Sequence, residues 1–159
     1  MPFRYRLQKV LEFRIREKEK QLLVVREAQQ RVYEAEQAIL RNNQEIELTI
    51  QNKRVADFRL MEYYDKYLHH LWDKAEELEA DRQQKQQELD NEIAILTRME
   101  QRVKVLEKHK ERQKEEYDYE QKQIEIKQFS EIGVQRHFQR KVEEMLELEK
   151  EELELLEAD

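Results

Sequence analysis

The sequence predicts an all-α fold, a long two-helix antiparallel coiled-coil hairpin. A heptad register runs from Met61 to Lys127, with a positions Met61, Leu68, Ala75, Arg82, Leu89, Leu96, Val103, Lys110, Tyr117 and Ile124 and d positions Tyr64, Leu71, Leu78, Lys85, Glu92, Met99, Leu106, Gln113, Glu120 and Lys127. The chain of 159 residues has one Gly, Gly133, and one Pro, Pro2, so little interrupts a helix. Its composition, 42% charged against 38% hydrophobic and rich in Glu, Lys, Gln, Arg and Leu, is that of coiled coils. Disordered segments share the high charge but are rich in Ser, Pro and Gly, whereas Ser130 is the single serine here.

The first arm, residues 3–65, has its own seam. Leu11, Val25, Val32, Ile39 and Ile46 recur at sevens, with Lys18 and Lys53 as polar members. Leu7, Ala28 and Ala35 form the accompanying row, and Ile15, Leu22 and Ile50 lie one position over. Two seams on one chain satisfy each other if the chain folds back antiparallel. The turn is expected in residues 66–74, where Asp73-Lys74-Ala75-Glu76 has the form of a capping box that restarts a helix. Folding there would set residue i opposite about 140 − i in a second arm of residues 75–140, each arm extending roughly 100 Å at the helical rise. Residues 141–159 would be an acidic tail, a docking or fraying helix with Val142, Met145, Leu146, Leu148, Leu153, Leu155 and Leu156 available for a stripe.

Polar a and d residues weaken this seam while helping to set register and partner number. Arg82 and Lys85 fall consecutively, and Ile93 is an alternative to Glu92 should the register drift. The ends differ in charge: eight basic against three acidic residues from Met1 to Arg26, and three basic against nine acidic from Arg140 to Asp159. A fold-back near residue 70 would bring these opposite charges together, which a parallel dimer would not.

The sequence argues against catalysis. A single Gly is incompatible with a P-loop, which needs several glycines for its amides to close on phosphate. One Ser and no Cys leave no credible nucleophile, disulfide or cysteine-based zinc site. His69 and His70 are adjacent, about 100° apart on a helix, and His109 and His137 stand alone among charged residues, so all four read as solvated or packing residues rather than metal ligands. We expect no enzyme activity and no cofactor. No apolar run approaches the roughly 20 residues needed to cross a bilayer, and a formal net charge of −7 disfavours a general nucleic-acid binder. A cytosolic chain is expected. Phe58, Tyr63, Tyr64, Tyr67 and Trp72 are either a small core closing the hairpin or, where the rings exceed what one seam accepts, exposed anchors for a partner.

The opening Phe3-Arg4-Tyr5-Arg6-Leu7-Gln8-Lys9-Val10-Leu11, followed by Arg14, resembles the start of the FliJ proteins, coiled-coil components of the bacterial flagellar type III export apparatus. Leu106-Glu107-Lys108-His109-Lys110-Glu111-Arg112, then Tyr117, Glu125-Ile126-Lys127-Gln128-Phe129-Ser130-Glu131 and Arg136, are similar to that family's second arm, with Phe129 and Ser130 where the family has Leu and Asp. The resemblance spans almost the whole chain. It implies an antiparallel coiled coil similar to the central stalk of rotary ATPases, whose base binds the hexameric export ATPase and promotes its assembly and activity. It also implies contacts with the cytoplasmic domain of the membrane export gate and with export chaperones, at the cytoplasmic face of the inner membrane. Carried over, Phe3, Leu7, Arg14, Glu125, Lys127, Glu131 and Arg136 are candidates for the ATPase-facing base, and Phe58, Tyr63, Tyr64, Tyr67 and Trp72 for the gate contact. A monomer is expected in isolation. The equivalent stalk of a virulence-type secretion system and a generic coiled-coil spacer remain alternatives.

Overall fold

The computed structural model describes residues 2–158, and its fold is an all-α helical hairpin. Helix α1 spans Gln8–Val55, a single 3-10 turn spans Phe58–Leu60, and helix α2 spans Met61–Glu157. By compactness the chain forms two units, one of Arg6–Glu107 and the other of the residues up to Tyr5 with those from Lys108 onward.

In the Arg6–Glu107 unit, α1 begins without a side-chain cap. Leu7 has non-helical backbone angles, and its carbonyl accepts the Leu11 N–H at 3.0 Å. The helix stops because Ala56 (ψ 156°) and Asp57 (ψ 144°) are extended. The Ala56 N–H still closes on the Lys53 carbonyl at 3.3 Å, and Leu60 N–H donates to the Asp57 carbonyl at 2.9 Å. Lys53 also forms an ion pair with Asp65 across the turn. Both extended residues have negative φ, so the chain reverses without Gly or Pro.

The expected turn at residues 66–74 is therefore not made: α2 runs through it, and Asp73 is exposed within the helix rather than a cap. The deciding signal is the phase of the two seams. Sevens counted from Leu11 reach Lys53 and would continue to Leu60, whereas the second seam starts at Met61. That one-residue slip is a break between Lys53 and Met61, where the structure turns.

Moving the turn changes the register. Gln21 Nε2 donates to the Glu92 carbonyl at 3.1 Å and to the Glu92 carboxylate, and Asn42 Nδ2 donates to the Leu71 carbonyl at 3.0 Å. Both pairs set residue i opposite about 113 − i, in place of 140 − i. The rows themselves hold: each a and d position of α2 from Met61 to Lys110 is buried or half-buried. Glu92 keeps its seam position, tied to Gln21, while Ile93 is 40% exposed. Beyond Lys110 only Tyr117 of the seam positions is half-buried, and Gln113, Glu120, Ile124 and Lys127 are exposed.

The core is one layer thick. Leu11, Val25, Ala28, Val32, Ala35, Leu68, Leu71, Leu89 and Val103 are its buried apolar residues. Val25, Ala28, Val32 and Leu89 form a cluster against which Leu96 packs. Asn42 and Thr49 are buried with them, and Leu22 is 37% exposed, so polar residues take part of the row that the apolar alternatives could have filled. The register also sets Ala28 about opposite Lys85, where a small residue leaves room for a long one. Lys85 and Arg82 lay their stems along the seam and send their charges to Asp81 and Glu79 of their own helix.

The hydrogen bonds from Arg82 hold the Glu79 carboxyl below the ordinary carboxylate range, against a smaller opposing effect of desolvation. A carboxylate depressed in this way contributes stability above the unfolded-state value, and that contribution is lost as pH falls through the depressed value. Replacing Arg82 by Gln should return Glu79 to ordinary titration, measured by carbon NMR of its carboxyl. An unchanged curve would show that the pair is not held in solution.

In the other unit, buried Tyr5 is hydrogen-bonded through its hydroxyl to His109 Nδ1 at 2.9 Å, with the rings 5.6 Å apart. Phe3 packs on Tyr117 with ring centroids 5.6 Å apart. From Lys122 to Ala158 every described residue is exposed.

Candidate partner-docking surfaces

With so thin a core, the features available for function are grooves along the seam and side chains the seam cannot absorb. Near the turn, Leu68 and Leu71 are buried on the α2 seam. Tyr67 and Trp72 flank them about 140° apart around the helix. On one flank, Tyr67 lies 6.4 Å from His70 between ring centroids, and its hydroxyl donates to the Glu45 carboxylate at 3.1 Å. That hydrogen bond raises the Tyr67 phenol above its ordinary value. On the other flank, His69 meets Trp72 edge-on at 5.3 Å. Tyr63, 70% exposed, packs edge-on against half-buried Tyr64 at 6.3 Å, and Phe58 is 86% exposed in the turn. The five gate candidates thus do not share one face. Aliphatic residues close the seam, and most of the aromatic surface faces outward.

A groove beside Tyr67 is lined by Arg41, Asn42, Glu45, Leu71 and Lys74. At its floor, Asn42 spends its amide N–H on Leu71, and its carbonyl oxygen Oδ1 has no hydrogen-bond partner.

The candidates for the ATPase-facing base divide between the two units, and those that share a unit with Phe3 are spread along α2. Phe3 pairs with Tyr117, so Glu125, Lys127, Glu131 and Arg136 lie 8 to 19 residues farther along α2, or about 12–28 Å at the helical rise. Leu7 and Arg14 belong to the Arg6–Glu107 unit. The cause is again the register: with the turn at residues 56–60, Arg6–Arg26 face about residues 87–107. Arg14 lines a groove with Val10, Arg98, Arg102, Val105 and Leu106.

No family model matches this chain, and neither the curated proteins nor the solved structures contain a match. Among the described residues, no group of three or more His, Asp or Glu side chains could hold a metal ion, and no helix is long and apolar enough to cross a membrane.

The contact between Tyr5 and His109 is what sequence reasoning missed, having left His109 alone among charges. Its signal was present, because both residues lie in the segments that carry the resemblance to the FliJ proteins. The buried Asn42 was missed because it is polar, although sevens counted from Ala28 and Ala35 reach it and then Thr49.

Proposed function

We propose that this protein is a non-enzymatic coiled-coil stalk of the FliJ type, serving a flagellar type III export apparatus. Its base binds the hexameric export ATPase and promotes the ring's assembly and turnover. Its outward-facing aromatic side chains meet the export gate and escort chaperones, at the cytoplasmic face of the membrane.

The observation that carries this reading is the meeting of two distant motif segments, Tyr5 with His109 and Phe3 with Tyr117. The opening segment and the Leu106–Tyr117 segment are among those whose residues resemble the FliJ proteins, and these two contacts bring one part of each together. The mechanism follows from asymmetry: a single asymmetric chain within a sixfold ring must favour some subunits over others.

The test is hydrolysis by the purified export ATPase across a concentration series, with and without this protein. The expected result is a shift of ring assembly and turnover to lower ATPase concentration, with no hydrolysis by the stalk alone. Unchanged turnover at saturating stalk would overturn the reading. Repeating the assay with a virulence-type ATPase separates the two kinds of system.

A further inference from the structure

The groove at Arg14 has a composition that the hairpin does not need for its own stability. Arg98 and Arg102, four residues apart on α2, join Arg14 of α1 around Val10, Val105 and Leu106. Like charges at that spacing oppose helix formation. Elsewhere in the unit, three of the four seam cations, Lys53, Arg82 and Lys85, each meet a carboxylate, at Asp65, Glu79 and Asp81, and among the described residues Lys18 does not. Among the described residues, no ion pair includes Arg14, Arg98 or Arg102. Val10 is 44% exposed and Val105 67% exposed, so aliphatic surface lies open between the guanidinium groups. The surrounding chain is also positive: Arg6–Lys20 has six basic and three acidic residues, and Ile95–Glu107 has three basic and two acidic.

We propose that this groove docks an acidic amphipathic helix of a partner protein. Its aliphatic residues would cover Val10 and Val105, and its carboxylates would take the forks of Arg14, Arg98 and Arg102. Each part of the groove selects against a simpler occupant. A free phosphate would satisfy the arginines but leave the valines in water. A nucleic-acid strand would lack a stacking platform, because the groove has no aromatic lining. A neutral apolar helix would desolvate three cations with nothing to pair them. An acidic amphipathic helix answers both halves, since guanidinium forks match carboxylates in bidentate geometry and a cleft between two helices accepts a third by its apolar stripe. This inference does not depend on the ATPase reading, because it rests only on the groove.

The probe is a fluorescent 21-residue helical peptide of Leu and Glu, with Leu at i, i+3, i+4 and i+7 spacing, titrated with the full-length chain by anisotropy. Saturable one-to-one binding that weakens with salt is expected. The double variant Arg98→Glu, Arg102→Glu should weaken it by about 30-fold or more. Val105→Ser should weaken it several-fold, with far-UV circular dichroism unchanged for both variants because these side chains line an open groove. A scrambled peptide of the same composition should not bind. The proposal is overturned if the amphipathic peptide does not bind, if the scrambled peptide binds equally well, or if duplex DNA binds the same arginines more tightly. It is also overturned if sedimentation shows the chain associating with itself through Arg98 and Arg102, which would give the groove to a second copy.

Discussion

Replacing Leu89 by Ala lowers the stability of the hairpin by about 2–5 kcal/mol, the cost of a large-to-small change at a buried leucine. Leu89 is 7% exposed and belongs to the cluster of Val25, Ala28 and Val32, with Leu96 against it. The size of the effect follows from how little else is buried. A single-layer seam has no second shell to relax into the cavity, and a marginally stable fold of about 5–15 kcal/mol has few such residues to lose. The melting temperature should fall on the order of 15 °C, followed by circular dichroism at 222 nm. Ile93→Ala is the control: Ile93 lies one turn along but is 40% exposed, so its truncation should move the midpoint little. Equal shifts for the two variants would mean that Ile93, not Glu92, holds the seam in solution.

The contrast between Leu89 and Ile93 also shows which parts of the fold were legible. Period alone assigns Leu89, Leu96 and Val103 to one face, and the structure buries or half-buries all three. Period also keeps Glu92 in the seam despite its charge, and the reason appears only with the partner helix in place, where Gln21 reaches both its carbonyl and its carboxylate. The turn was harder to place because neither of its extended residues needs Gly or Pro. The capping-box pattern at Asp73 marked the wrong place, because such patterns also occur inside helices wherever acidic residues are frequent.

The candidate sites inherited that error. A turn misplaced by about thirteen residues shifts every cross-helix pairing by twice as much, about 27 positions, from 140 − i to 113 − i. Charge matching between the basic first segment and the acidic tail rested on the 140 − i register, whereas the observed register sets Arg6–Arg26 opposite about residues 87–107. The aromatic residues were recognisable as a group, and their division between two flanks of α2 follows from the heptad that sets Leu68 at a and Leu71 at d. The Arg14 groove was only half legible. Arg14 stood out through its motif, whereas Arg98 and Arg102 become its neighbours only when the register is known.

At Asn42 the expected effect has the opposite sign. Asn42 is 5% exposed in the seam, with one hydrogen bond to Leu71 and an orphaned carbonyl oxygen. Burying half an amide without a partner costs stability, so Asn42→Leu should raise it by about 1–2 kcal/mol. The hydrogen bond to Leu71 forms only when the helices are antiparallel and aligned as here, whereas a leucine packs acceptably against many apolar neighbours. The short turn at residues 56–60 restrains sliding of the arms, so the loss should appear chiefly in partner number: hairpins open and pair with one another as concentration rises. Sedimentation velocity should then show a concentration-dependent dimer for Asn42→Leu and less dimer for the unaltered chain. Spin labels at exposed positions, introduced as Leu23→Cys and Asn91→Cys, should give one narrow distance distribution with Asn42 and a broader one without it. If Asn42→Leu is more stable yet keeps both the same mass and the same narrow distribution, alignment is set by the turn and the Gln21–Glu92 contact, and the buried amide is a cost without a structural return.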